Sequence, residues 1–163
     1  MSISFEEAIA QTENLLQRSE VTPTDLEQAV QELLATENGA RGFFVSFLTG
    51  DWHLADHPTP AILRALEQAP PHTAELLVKN LVMSTAMAIT HRRNGHLDMA
   101  NSSDRVQRRC RYLLQQVHHP DTVPILERML NGEYESFYQK WGYDEEQRQA
   151  IAAALQTCLQ PPV

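Results

Sequence analysis

The chain has 163 residues, 42% hydrophobic and 21% charged, the composition of a folded globular protein rather than a disordered one. That length suits one domain, residues 1–163, with a core of its own. A formal charge of -8 and a pI near 5.3 make the surface as a whole repel a polyanion, so nucleic acid is not the expected partner.

The punctuation is helical from end to end. Ser4 and Glu7 have the spacing of a capping box, which opens a first helix to about Arg18. Thr22-Pro23 starts a second, with Leu26, Val30, Leu33 and Leu34 as its buried stripe. Asn38-Gly39 and Gly42 are expected to break the chain before Phe43-Phe44-Val45-Ser46-Phe47-Leu48. That run reads as a short helix ending at Gly50, because a lone strand would find no partner. Asp51 to Pro58 is expected to be a loop, and Thr59-Pro60 starts a helix to about Gln68.

From Thr73 to His91 the apolar residues Leu76, Leu77, Val78, Leu81, Val82, Met83, Ala86, Ala88 and Ile89 point nearly all round a helical wheel. This is the pattern of a helix buried on most sides. It sets the expected fold class, all-α: a compact bundle of about eight or nine short helices around a buried central helix at residues 73–91. Lys79, Asn80, Ser84 and Thr85 are too costly in lipid for the segment to be a membrane span.

Asn94-Gly95 closes that helix, and Ser102 and Ser103 offer caps for the next, whose stripe is Val106, Cys110, Leu113, Leu114 and Val117. Pro120 restarts the chain into a helix ending at Asn131-Gly132. Tyr134, Phe137, Tyr138 and Trp141 then recur at helical spacing and stop at Gly142. Asp144 with Gln147 caps the last helix, which Pro161-Pro162 ends. The segments starting at His57-Pro58 and His119-Pro120 resemble each other. They mark a helical-hairpin repeat or reflect only the likeness of proline-initiated helices.

Charge is distributed unevenly. Arg92, Arg93, Arg105, Arg108, Arg109 and Arg111 fall in one stretch with only Asp98 and Asp104 against them. Six arginines against two aspartates leave +4 there, which puts -12 in the remainder of a chain of net -8. Arginine is the residue suited to forked contacts with carboxylate or phosphate. The stretch reads as an anion or acidic-partner site, or as a solvated face whose arginines pair with the chain's own surplus carboxylates. His91 ends the buried helix beside two of these arginines.

His53 and His57, four apart and near Asp51 and Asp56, have a metal-type spacing only in a helix, which Pro58 disfavours, so no metal is expected. His118-His119 reads as a helix C-terminus. Lys79 is expected to pair with Glu75 across one helical turn. The late aromatic run, with Tyr143, fits a homo-oligomer or partner interface as well as a core. Cys110 and Cys158 lie on apolar stripes and read as buried thiols of a reducing cytoplasm. The opening Met-Ser-Ile-Ser-Phe-Glu-Glu has no signal-peptide character, which agrees with a cytoplasmic location.

No phosphate-binding glycine loop, nucleophile elbow or paired-carboxylate spacing occurs, and no cofactor is expected. The reading is a non-enzymatic interaction or adaptor module. It would bind an acidic protein partner or a small anion through Arg92, Arg93, Arg105, Arg108 and Arg109, with His91 beside them. The alternative is a small helical enzyme whose pocket uses Lys79, Asn80 and His91, with Arg92 or Arg93 holding an anionic substrate.

Overall fold

The computed structural model describes residues 2–18 and 20–160, which form ten helices and no strand. They fall into two compact units. The first takes in residues up to Leu76 together with Val117–His119; the second takes in Leu77–Gln116 and the residues from Pro120 onward.

The first unit begins with α1 (Phe5–Gln17), held at its start by the capping box that Ser4 and Glu7 predict. Helix α2 (Pro23–Leu34) starts at Thr22, whose hydroxyl accepts from the Asp25 amide, with Pro23 in the first turn. Helix α3 (Glu37–Thr49) differs from expectation. It starts at Thr36, so Gly39 and Gly42 lie inside the helix rather than breaking the chain before Phe43.

Close packing is the reason. A methyl group at Gly42 would come within 2.4 Å of the Ala8 Cβ and 2.9 Å of the Phe5 carbonyl oxygen. The glycine lets α1 and α3 touch at backbone distance. Behind it Phe43, Phe44 and Phe47 are fully buried, with Phe43 and Phe47 stacked at 5.0 Å. The chain then turns at Gly50, under the indole of Trp52, whose Nε1 donates to the Ser46 carbonyl at 2.8 Å.

The expected loop after Asp51 contains one turn of helix, α4 (His53–Asp56), and α5 (Pro60–Glu67) follows as anticipated. Two histidines tie off ends in this unit. His72 Nε2 lies 2.9 Å from the Leu34 carbonyl, at the last residue of α2, and His119 Nε2 lies 2.7 Å from the Ala69 carbonyl beyond α5. A carbonyl only accepts, so each ring carries its proton on Nε2. His118 and His119 do lie just past a helix end, but the His119 ring serves a carbonyl far away in sequence.

Helix α6 (Pro71–Arg93) starts with the second proline of Pro70-Pro71 and runs one residue pair longer at each end than the sequence pattern suggests. Proline's fixed φ suits a first helical position. Within the second unit this helix buries Leu77, Val78, Leu81, Val82, Ala86 and Ala88. Helix α7 (Leu97–Gln116) begins five residues before the caps proposed at Ser102 and Ser103. Ser102 instead donates back to the Asp98 carbonyl at 3.2 Å, a common use of serine inside a helix.

The unit is completed by α8 (Thr122–Leu130), α9 (Glu135–Trp141) and α10 (Glu145–Leu159), with α10 packed on both α7 and α8. In the His119-Pro120 segment Pro124 stands at the third position of α8, whereas Pro60 is the first residue of α5. Helix α10 ends at Leu159 with Gln160 as its cap; the predicted stop at Pro161-Pro162 lies outside the described residues.

Gly42→Ala tests the α1–α3 contact. Alanine favours an isolated helix by about 1 kcal/mol over glycine, but overpacking here should cost about 1–3 kcal/mol net. A urea unfolding midpoint shifted downward is expected, and an upward shift would show that the two helices do not meet this closely.

Candidate functional site

The arginine stretch is divided by helical geometry. Arg92 and Arg93 end α6. Arg92 Nη1 donates to Asp104 Oδ1 at 3.2 Å, and its Nη2 pairs with Oδ2 of the same carboxylate. Arg93 reaches Asp144 at 2.6 Å and Glu146 at 3.3 Å. On α7, Arg109 is buried at the edge of the stripe that carries Cys110, Leu113 and Leu114. Arg105 is half-buried, and both it and Arg109 interact within the protein. Arg108 faces outward.

Three residues share that outward face. Leu97, Arg108 and Tyr112 are separated by eleven and four residues, which is close to three turns and one turn. Leu97 is 64% exposed and Tyr112 is 42% exposed. The result is an outward ridge with an aliphatic end, a guanidinium and a phenol.

The residues of the alternative pocket lie along α6. Lys79 and His91 sit twelve residues apart on that helix, about 18 Å along its axis. The Lys79 ammonium lies over the rings of Phe137, at 5.3 Å, and Tyr134, at 6.0 Å. Asn80 and His91 are half-buried on the same helix.

A second feature is the corner between α9 and α10, where the late aromatic run that reads in the sequence as an interface or a core meets the start of the last helix. Gly142 has φ +67°, a left-handed conformation that closes α9, and the Tyr143 amide donates back to the Tyr138 carbonyl at 3.2 Å. The turn buries Tyr143 against the rings of Phe137 and Tyr138 and leaves Trp141 half exposed. Asp144 then caps α10, accepting from the Gln147 amide at 3.0 Å while Gln147 Oε1 accepts from the Asp144 amide.

Gln147 is buried, and its Nε2 donates to the Ala86 carbonyl at 3.1 Å and to Thr90 Oγ1 at 2.9 Å. Above it opens a cleft of about 260 Å³ lined by Met83, Met87, Thr90, Trp141 and Tyr143, with Arg93 and Asp144 at its rim. A neighbouring cleft of about 330 Å³ lies along the Arg92–Asp104 pair, with Arg111 on its wall and Ala150 and Ala153 opposite. The first unit has an open cleft of about 420 Å³ between α1 and α2, with Arg18 and Glu32 as its charged residues.

Several titrations are displaced. The Arg93 guanidinium, helped by the Gln147 amide, holds the Asp144 carboxyl below the usual carboxylate range, and Arg148 does the same for Glu135 at 2.8 Å. Burial pushes Tyr138 and Tyr143 up to about 12 and Cys158 up to about 11, and pushes Cys110 up as well. Both cysteines are free thiols.

His53 and His57 approach with ring centroids 4.7 Å apart. Among the described residues no group of three or more His, Cys, Asp or Glu side chains comes together as a metal set. Nor is any described helix long and apolar enough to cross a membrane.

These features describe an all-α protein whose distinctive surfaces are the α7 ridge and the α9–α10 corner. The chain belongs to the family described as Uncharacterised conserved protein UCP020893, whose model matches residues 4–158. No curated protein and no solved structure matches it.

Two titration results are expected. The folded Asp144 and Glu135 carboxyls are depressed, so their pairing stabilises above the ordinary carboxylate range and is lost as pH falls from that range through the lowered values. Asparagine keeps a capping oxygen but no charge. Asp144→Asn should therefore show a shallower loss of urea stability on acidification than the parent, and parallel slopes would rule out the charged pair. At the other end, raised tyrosines stabilise below their ordinary range and lose this as pH rises from about 10 to about 12. Two of the four tyrosines should ionise late in an ultraviolet titration, together with loss of helical signal.

Proposed function

We propose that the protein is a cytoplasmic, non-enzymatic interaction module that engages an acidic partner protein through the outward ridge of α7. The observation that carries this reading is the exposure of Arg108 and Tyr112 one turn apart on a helix whose other arginines turn inward or toward neighbours. Tyrosine and arginine are the side chains that most often anchor protein interfaces, and charged residues of opposite sign on the partner would steer the encounter.

Small anions fit this ridge poorly. A convex helix presents one guanidinium without the convergent donors that a small ligand needs. A protein surface can meet Leu97, Arg108 and Tyr112 together, and its carboxylates would face the outward Arg108 guanidinium. The reduced, buried thiols suit a cytoplasmic setting.

The test is affinity capture from native cells with the parent and with Arg108→Glu, partners being identified by mass spectrometry. A specific acidic partner should be retained by the parent and weakened about tenfold or more by the variant, with the helical circular dichroism unchanged. Arg18→Glu, in the first unit, should leave capture intact. Equal capture by Arg108→Glu and the parent would overturn the proposal.

A further inference from the structure

We infer that the α9–α10 corner is a self-association surface, at which a second copy of this chain inserts its Trp141 into the cleft over Gln147 and receives the reciprocal tryptophan in its own. The corner presents a knob and a hole that share an edge, Trp141 being both the projecting ring and one wall of the cleft. Trp141 is 51% exposed at the end of α9, and Met87, on the wall of the adjoining cleft, is 39% exposed. Methionine walls adapt to an inserted ring at little rotamer cost, and their sulfur favours aromatic edges.

Charge selects the occupant. The knob is basic, because the Lys140 ammonium lies 5.5 Å from the Trp141 ring. The edge of the hole carries a surplus of acid: Arg93 and Asp144 line it as an ion pair, and Glu146, outside the lining, is a second carboxylate on the same arginine. The fitting occupant is thus an apolar ring with a lysine beside it, and the chain carries that pair within the same corner.

A two-fold axis uses one patch twice and requires it to be self-complementary. A basic knob next to an acidic hole meets that requirement, since each copy offers one of each. The two Lys140 side chains would then face the Glu146 carboxylates of the opposite copies. Glu146 keeps most of its side chain in solvent in the single chain, at 69% exposure.

The experiment is sedimentation velocity on the full chain over a wide concentration range, with Trp141→Ala, Lys140→Glu, Glu146→Lys and the Lys140→Glu/Glu146→Lys combination. The parent should move from monomer to dimer as concentration rises, and Trp141→Ala should remain monomeric with unchanged circular dichroism. Each charge reversal should weaken the dimer about tenfold, and the combination should recover it. Met87→Glu, on the hole rather than the knob, should also remain monomeric.

A parent that is monomeric throughout overturns the inference, and so does a dimer that survives Trp141→Ala. Loss of a different protein's binding in Trp141→Ala, with no dimer at any concentration, assigns the corner to that protein and overturns it equally. Arg108→Glu should dimerise like the parent, so failure here and failure of the α7 ridge are separable.

Discussion

One buried amide organises the second unit. Gln147 accepts from the Asp144 amide, donates its backbone N–H to the Asp144 carboxylate, and sends Nε2 to the Ala86 carbonyl and the Thr90 hydroxyl. A buried amide left without these bonds would cost about 1–3 kcal/mol, so the start of α10 has a strongly preferred position against α6. Everything at the corner inherits that position. Asp144 is carried to Arg93, Tyr143 is carried under Phe137 and Tyr138, and Trp141 is left with half its surface in water because the chain turns away from the core at Gly142.

The arginine stretch shows how a run of like charge in sequence becomes several unlike environments in three dimensions. Seventeen positions separate Arg92 from Arg109, and a helical hairpin lies between them. The two arginines at the end of α6 meet carboxylates from α7 and α10, where the helix C-terminus also favours cations. Arg108 and Arg109 are neighbours in sequence but about 100° apart around α7, so one is exposed and the other buried. Net charge on a segment therefore overstates the charge offered to a partner. The arginine that remains outward does so by phase, and phase is set by where the apolar stripe of Cys110, Leu113 and Leu114 must go.

Most of the fold was legible in the sequence, for local reasons. Capping boxes at Ser4-Glu7 and Asp144-Gln147, the threonine-proline starts at Pro23 and Pro60, and the closure at Gly142 are each decided within one helical turn, and each is where the pattern places it. The errors have non-local causes. Gly39 and Gly42 look like breaks because glycine is a poor helix former, yet α1 packs against Gly42 at a distance no other residue permits. The pattern puts the start of α7 late because Ser102 and Ser103 are good caps in isolation. The chain had already re-entered a helix at Leu97, after His96 donated back to the His91 carbonyl at 2.8 Å. The ridge is partly visible in the sequence, since Arg108 belongs to the arginine stretch. The corner is legible only as an aromatic run, because the proximity of Trp141, Met87 and Arg93 depends on how α9 and α10 meet α6.

Helix α6 gives the same lesson from the inside. Its apolar residues could pack against many neighbours in many registers, as uniformly apolar faces do. Its polar positions are more demanding. Lys79 takes the faces of Phe137 and Tyr134, Thr90 takes the Gln147 amide, and Arg92 and Arg93 take carboxylates from two different helices. Each of these groups would lose hydrogen bonds or charge pairing if a neighbour slid by one turn. Hydrophobic burial supplies most of the drive to collapse, while the polar positions of α6 select which of the collapsed arrangements is native. The residues that seemed to spoil a buried helix in the sequence are the ones that fix what surrounds it in the second unit, and through Gln147 they fix the shape of the corner as well.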